Sequence, residues 1–255
     1  MKVHVVSDVH ARLDALVRSL DEADVLVCLG DLVLFLDYED PAQGIFGELF
    51  GAENARTFVD LRTSGRLDEA RVFSAGLWEA RGGDRATTTL EAVRGQYART
   101  FAAIPEPTYL TYGNVDLPDL WPEFARPGHR VLDGDVVEIG GRTVGFVGGG
   151  LRTAYRTPYE ISDEEYAAKV AAVEGADILC THIPPAIPEL TYDVVARRFE
   201  RGSVALLAAI RRSRPLFSLF GHVHQPLVAR TRVDRTECVN VGHFRGQGSG
   251  LVLDL

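Results

Sequence analysis

The sequence predicts an α/β fold, because short apolar runs with the character of buried strands alternate with segments that have helical apolar spacing. Strands and helices in alternation predict βαβ units. The strand-like runs, rich in Val, Ile, Leu and Phe, are VHVVS at 3–7, VLVCLG at 25–30, TYLTYG at 108–113, VGFVGG at 144–149, DILCTH at 177–182, LFSLFGH at 216–222, and then ECVNVG and LVLDL.

Three segments between these runs have the spacing of amphipathic helices. They cover 11–23, 162–175 and 202–214. The second opens with Ser162 three residues before Glu165, which is the spacing of a capping box. We therefore expect one helix after the first strand and two in the second half of the chain.

Composition sets limits on the class of protein. With 255 residues, 46% of them hydrophobic, the chain can bury a full core. The three cysteines, Cys28, Cys180 and Cys238, are odd in number and lie in or beside apolar runs, which predicts buried free thiols.

Charge and hydropathy indicate the kind of partner. A net charge of −9 argues against nucleic acid, because phosphate-backbone binding needs a basic face, but it leaves a small phosphate ester open. No apolar run approaches the roughly 20 residues that span a bilayer. The N-terminal MKVHVVSD has a strand pattern instead of a signal peptide. We therefore expect a cytoplasmic protein with no membrane partner.

Polar residues that can bind metals follow five of the predicted strands. In open α/β sheets, ligands bind outside the carboxyl ends of strands. Each residue taken singly has a structural explanation, such as a helix N-cap, a turn or a loop, but together they predict one crevice. They are Asp8 and His10, then Asp31, Asn114 and Asp116, His182, and finally His222 and His224.

These residues lie in blocks that resemble a known family. SDVH at 7–10, GDLV at 30–33, GNVD at 113–116, THIPP at 181–185 and GHVH at 221–224 are similar, in order and roughly in spacing, to the five blocks of the calcineurin-like metallophosphoesterase superfamily. Those blocks read D-x-H, G-D, G-N-H-[DE], H and G-H-x-H. The segments GGGLRTAYRTPYEISDEEYAAKV, THIPP and RGSVALLAAIRRSRPLFSLFGHVHQ resemble the small bacterial and archaeal phosphoesterases within it.

The resemblance implies a fold and a metal centre. The fold would be a four-layer α-β-β-α sandwich of two mixed sheets flanked by helices, as a single domain over 1–255. Two divalent transition-metal ions would hold a bridging hydroxide that attacks phosphorus. Nitrogen and oxygen ligands together suit Mn, Fe or Zn. One ion would be bound by Asp8, His10 and His224, the other by Asn114, His182 and His222, with Asp31 bridging.

The chain departs from the family pattern at Val115. Relatives often have histidine there, and valine cannot supply the proton that this histidine is credited with giving to the leaving group. General acid catalysis of this kind contributes about 10²–10⁴-fold. His243 is a candidate acid, and Arg152 and Arg156 are candidates to bind a non-bridging phosphate oxygen. We expect at least one of the three to contact the substrate. A turn histidine and solvated loop cations are the alternatives.

A second departure is the long segment between GDLV and GNVD. Residues 37–99 contain ELFGAENARTFVDLRTSG and TTTLEAVRGQYARTFAAI, both with helical apolar spacing, which predicts a helical insertion. It would form a lid over the metals, a dimerisation surface, or an insertion without either role. A lid predicts that deletion changes substrate preference more than stability.

The sequence thus predicts a binuclear metal-dependent phosphoesterase. Phosphodiesters are favoured over monoesters, because substrates with stabilised leaving groups lose less reaction rate when position 115 has no histidine to act as the acid. Asp31 and Asn114 would serve in catalysis as well as in metal binding. The alternative is a metallophosphoesterase-fold scaffold that binds a protein partner with little or no turnover.

Overall fold

The computed structural model describes residues 1–255. The strands are β1 (Lys2–Val6), β2 (Val25–Cys28), β3 (Thr108–Leu110), β4 (His129–Val131), β5 (Asp135–Ile139), β6 (Arg142–Val147), β7 (Gly150–Leu151), β8 (Glu160–Ile161), β9 (Ile178–Thr181), β10 (Tyr192–Asp193), β11 (Arg198–Phe199), β12 (Phe217–Phe220), β13 (Arg230–Val233), β14 (Thr236–Asn240) and β15 (Leu251–Asp254).

The helices fall mainly between these strands. The α-helices are α1 (Leu13–Leu16), α2 (Gly44–Phe50), α3 (Ala52–Thr63), α4 (Leu67–Arg81), α5 (Arg85–Ala103), α6 (Asp163–Val173), α7 (Pro188–Thr191), α8 (Val204–Ser213) and α9 (Phe244–Gln247). A 3₁₀ helix covers Pro118–Glu123. None of the helices has both the length and the apolar composition needed to cross a membrane.

Two mixed sheets form the framework, as predicted. The five-stranded sheet has the order β15-β1-β2-β3-β4, with only β15 antiparallel to its neighbour. The six-stranded sheet has the order β13-β14-β12-β9-β6-β5, with antiparallel pairs only at its two edges. Parallel neighbours end on the same edge, so the loops after β1, β2 and β3 leave one sheet together and those after β9 and β12 leave the other together.

The core between the sheets is built from alternate residues of both. Val5 and Val27 of the first sheet pack in one cluster with Phe146, Ile178 and Leu219 of the second. The outer face of the six-stranded sheet is covered by α6 and α8, whose apolar side chains join a second cluster. The fold is therefore two mixed sheets flanked by helices, and the predicted buried thiols are free and buried.

The helix starts follow the sequence signals in the second half of the chain. The Ser162 hydroxyl accepts a hydrogen bond from the Glu165 backbone N–H at 3.1 Å, and the Ser203 hydroxyl caps α8 in the same way. The predicted helix over 11–23 is wrong in length, since only Leu13–Leu16 is helical. The Ser19 carbonyl bonds the His4 ring instead of a helical N–H. The Asp24 carboxylate accepts from the Lys2 N–H, which ties this segment to β1.

The chain forms two compact units. Residues 1–32 and 99–255 make one, and Val33–Ala98 makes the other. Within Val33–Ala98, the helical pattern predicted over 48–65 is divided between α2 and α3, because Gly51 has φ of 84°. Phe46, Phe50 and Phe58 pack together in this unit. The single-domain organisation stays a prediction.

Candidate metal centre

The seven predicted metal ligands lie at strand ends of the unit formed by 1–32 and 99–255. Three groups of side chains each place their ligand atoms within 4.8 Å of one another, and two of them consist only of predicted ligands. One group is Asp8, His10 and Asp31, and the other is Asp31, His182 and His222. The two groups share Asp31, the residue that the family resemblance implies as the bridge.

Four of these residues have left-handed backbone conformations. The φ angles are 56° at Asp8, 41° at His10, 54° at Asp31 and 68° at His222. Each such residue costs on the order of 1–3 kcal/mol and is typical of functional sites, where surrounding bonds enforce it. Here the Asp8 N–H donates to the Gly30 carbonyl at 3.0 Å and the His10 N–H to the Asp31 carbonyl at 2.8 Å. Backbone bonds between the ends of β1 and β2 thus help to set the direction of these side chains.

The Asp31 carboxylate faces both groups with one oxygen. Its Oδ1 accepts a hydrogen bond from the Val115 N–H at 3.0 Å. Its Oδ2 lies 3.9 Å from Nε2 of His10 and 3.4 Å from Nε2 of His182. A single oxygen between two imidazoles that belong to different groups is the placement expected of a bridging ligand.

The carboxamide of Asn114 has a fixed orientation. Its Nδ2 donates to the Thr157 hydroxyl at 3.0 Å, and that hydroxyl donates to Oε1 of Glu160 at 2.9 Å. Because Glu160 accepts only, the Thr157 oxygen is left to accept from Asn114. The amide oxygen of Asn114 therefore points at His182, 3.0 Å from its Nε2. The sequence analysis assigned no role to Thr157 or Glu160. Both lie in the TPYE segment at 157–160, which is the sequence feature that could have indicated their role.

His182 is buried with its two nitrogens in different surroundings. The Nδ1–H donates to the Leu29 carbonyl at 2.9 Å, which leaves Nε2 facing the oxygens of Asn114 and Asp31. Three lone pairs then converge, and a cation must separate them, either a proton or a metal ion. Burial is the largest single influence and lowers the pKa of His182, but the charge and hydrogen bond of Asp31, with the charge of Asp8, together raise it to about 9.

Asp8 connects the two histidines of the GHVH block. Its Oδ1 lies 3.3 Å from Nε2 of His224, and its Oδ2 accepts from the His222 N–H at 2.9 Å. Burial raises the pKa of Asp8, yet the hydrogen bond and charge of His224 hold it well below its ordinary value. The same contact outweighs burial and raises the pKa of His224. Asp8 is thus an ionised carboxylate at neutral pH.

His222 lies beside His182, with ring centroids 5.2 Å apart and an interplanar angle of 68°. Burial and then the charge of His182 lower the pKa of His222. A neutral imidazole is the form that binds a metal.

Two motif glycines leave space for these carboxylates. A Cβ atom at Gly113 would overlap Oδ1 and the backbone nitrogen of Asp31, and one at Gly221 would overlap Ser7 and Oδ2 of Asp8. The glycines of the GNVD and GHVH blocks are therefore required by close approach between strand ends.

Asp116 has a role that sequence reasoning did not identify. Its carboxylate accepts from the backbone N–H of Asp31 at 2.8 Å, of Leu32 at 2.9 Å and of Gly113 at 2.8 Å. Burial and then the charge of Asp31 raise the pKa of Asp116 to about 6. Asp116 therefore joins the ends of β2 and β3 and positions the Asp31 backbone. The position of Asp116 in the GNVD block is the sequence feature that could have indicated this role.

The three candidate phosphate contacts have different positions. His243 lies with His10 and His224, its ligand atom within 4.8 Å of theirs. Arg152 and Arg156 are exposed, and neither forms a hydrogen bond or an ion pair with a predicted ligand. The structure thus brings one of the three candidates to the cluster.

Burial, and then the charge of His224, lower the pKa of His243 to about 3. The ring is therefore neutral at physiological pH, which favours a ligand over a proton donor.

The residues present fit the metal ions that the resemblance implies. Carboxylate oxygens, an amide oxygen and neutral imidazoles converge, and this donor set suits Mn, Fe or Zn. Nε2 of His182, the amide oxygen of Asn114 and Oδ2 of Asp31 converge on one point that a cation must occupy, and this is the clearest indication of a metal position.

No protein-family model matches the chain, and no curated protein matches it. Among solved structures it is similar to one titled "Putative 5'-Nucleotidase from Staphylococcus aureus in complex with alpha-ketoglutarate". That likeness has 16% sequence identity and a TM-score of 0.44, and covers 94% of this chain. The chain spans about half the length of that protein, 48% of it being covered.

Proposed function

We propose that the protein is a binuclear metal-dependent phosphoesterase with a preference for phosphodiesters. The observation that carries this proposal is the position of Asp31 Oδ2 between His10 and His182, at 3.9 Å and 3.4 Å. Two acceptor-rich groups that share one carboxylate oxygen require positive charge on both sides of it. Divalent ions supply that charge at neutral pH.

The residues divide between two ions. Asp8, His10 and His224 hold the first, Asn114, His182 and His222 the second, and Asp31 lies between them. When bound, the two ions would supply the charge that polarises a phosphoryl group and would make a bound water nucleophilic near neutral pH. No other side chain in the cluster has to act as the nucleophile.

The protein's own contribution is to hold these ligands in place without substrate. Asp116 fixes the Asp31 backbone, and the Leu29 carbonyl fixes the His182 tautomer. Thr157 fixes the amide of Asn114. Pre-orientation of this kind lowers the reorganisation needed to reach the transition state.

Val115 supports the preference for diesters. It contributes its backbone N–H to Asp31, and its side chain cannot protonate a leaving group. Substrates with stabilised leaving groups lose the least hydrolysis rate when no general acid is present. A phosphodiester or an activated ester is therefore the favoured substrate, and the net charge of −9 argues against nucleic acid.

Hydrolysis of bis-p-nitrophenyl phosphate beside p-nitrophenyl phosphate tests the function. Metal-stripped protein is reloaded in turn with Mn²⁺, Fe²⁺, Zn²⁺ or Mg²⁺, and Asp31→Ala is the matched control. We expect turnover that needs metal, favours the diester and is lost in Asp31→Ala. Turnover that persists in metal-free protein or in Asp31→Ala would contradict the proposal.

A non-catalytic scaffold is the second candidate, and Val115 is the observation in its favour. A scaffold predicts that the protein binds two ions per chain and hydrolyses neither ester with any of the four metals. Its binding of metal would then serve to order the surface that contacts a protein partner.

A further inference from the structure

His243 lies on a short segment that is fastened to the loop after β1. The Phe244 N–H donates to the Ser7 carbonyl at 3.0 Å, and the Arg245 N–H donates to the Asp8 carbonyl at 3.1 Å. The Arg245 guanidinium also donates to the His10 carbonyl at 2.9 Å. These bonds join the segment after β14 to the backbone that carries the first metal's predicted ligands. The position of the His243 side chain is therefore set by the same loop as Asp8 and His10.

The His243 ring completes a group of three imidazoles. It stacks on His224 with ring centroids 3.9 Å apart and an interplanar angle of 6°, and it meets His10 edge-on at 5.8 Å. One nitrogen from each ring lies within 4.8 Å of the other two. Neighbouring nitrogens in a five- or six-coordinate shell with bonds of about 2.0–2.1 Å are about 3 Å apart. For one ion to bind all three, the nitrogens have to move closer together and the stacked rings of His224 and His243 have to turn toward a common point.

The Nε2 atom of His243 has no partner in the protein. It is shielded from solvent and forms no hydrogen bond. Buried polar atoms nearly always have a partner, so an unpartnered nitrogen beside two other imidazoles indicates a position that can bind a cation. A proton donor to a leaving group would instead need its N–H directed at substrate.

We propose that His243 is a ligand of the first metal, which then has three imidazoles, from His10, His224 and His243, together with Asp8 and Asp31. The inference rests on the proposed function, since it adds a ligand to the same centre. Its consequence is that the two metal sites are unequal. The first has three nitrogens and the second has two with an amide oxygen, so the first binds late first-row ions more tightly and fills first.

Metal binding by the metal-stripped full chain tests this. Isothermal titration with Zn²⁺ or Mn²⁺ gives two affinities, and Co²⁺ gives a visible spectrum that reports the ligand set. In His243→Ala we expect the tighter affinity to fall by at least about 10-fold and the spectrum of the first Co²⁺ equivalent to change, with the weaker affinity unchanged. Gln247→Ala, in the short helix that directly follows His243, is the matched control and should behave as wild type.

A measurement on wild-type protein guards against a folding defect in the variant. We expect the ring nitrogens of His243 to shift to the range of a coordinated imidazole in ¹⁵N spectra when one equivalent of Zn²⁺ is added. Unchanged affinities and an unchanged Co²⁺ spectrum in His243→Ala would overturn the inference, including when turnover alone is reduced, because that pattern assigns His243 to substrate.

Metal binding by the wild-type protein distinguishes failure of the proposed function from failure of the inference about His243. If wild-type protein binds no Zn²⁺, Mn²⁺ or Co²⁺, both the metal centre and the role of His243 are lost. If wild type binds two ions and His243→Ala binds them equally well, only the inference about His243 is lost.

Discussion

Oδ2 of Asp31 lies 3.4 Å from Nε2 of His182, whose other nitrogen is already bonded to a backbone carbonyl. A proton and a metal ion therefore compete for the same lone pair. Without metal the proton occupies it, because Asp31 and Asp8 together raise the pKa of His182 to about 9 against the effect of burial. The stability of the metal-free protein should follow from this relationship.

The metal-free protein should lose stability as pH rises. The ordinary pKa of histidine, 6.5, applies to the unfolded chain, and about 9 applies to His182 in the fold. The stabilisation from protonated His182 is therefore complete below pH 6.5 and is lost as pH rises through about 9. Urea unfolding of metal-free wild type and His182→Gln between pH 6 and 9.5 checks this. Wild type should lose more free energy of unfolding over that range, and parallel curves would contradict the assignment.

Metal ions should stabilise the protein by mass action. A ligand at 100 times its dissociation constant adds about 2.7 kcal/mol, and each kcal/mol raises Tm by roughly 2–4 °C in a chain of this size. We expect Mn²⁺ or Zn²⁺ to raise Tm by about 5–10 °C in wild type at pH 7.5. Asp31→Ala should show a much smaller rise in differential scanning fluorimetry. An equal rise in both proteins would place the ions elsewhere.

Thr157 should act through Asn114. Thr157→Val removes the acceptor that fixes the Asn114 amide, so the amide can turn its NH₂ toward His182. Loss of an outer-sphere partner of this kind typically costs about 10–100-fold in metal affinity or activity. Thr153→Val is the control, since Thr153 donates to the same carboxylate of Glu160 without contacting Asn114. Thr157→Ser should restore binding, and equal effects of the two valine variants would argue against this role.

Gly113→Ala should disrupt the metal centre, because the added Cβ overlaps the Asp31 carboxylate. Forcing an extra methyl into a packed site costs about 1–3 kcal/mol, and here it also displaces the bridging oxygen. Gly76→Ala is the control: Gly76 is in α4, and a Cβ there meets nothing within 4 Å. The control should gain about 0.5–1 kcal/mol and bind metal normally. Chemical unfolding and metal titration of both variants measure the difference.

Much of the framework could be predicted from the sequence because its signals are local. Each predicted strand forms, and two mixed sheets flanked by helices are confirmed. The convergence of the ligand motifs could be predicted because each motif follows a strand, and parallel strands end on a common edge of the sheet. Whether these residues bind metal stays a prediction.

The supporting contacts could not be predicted because they join distant parts of the chain. Asp116 holds the backbone of Asp31, 85 positions away, and Thr157 holds Asn114, 43 positions away. The stacking of His243 on His224 depends on backbone bonds to the loop after β1, which leave no local pattern. The predicted lid over 37–99 and dimerisation through it likewise stay predictions.

Anomalous X-ray scattering from crystals of the Mn²⁺-loaded protein tests most directly whether Asp31 joins two ions. We expect two peaks about 3.5–4 Å apart, one on either side of the Asp31 carboxylate, with His10 and His224 at the first and His182 and His222 at the second. A single peak, or two peaks that are both outside bonding distance of the Asp31 carboxylate, would contradict a binuclear centre.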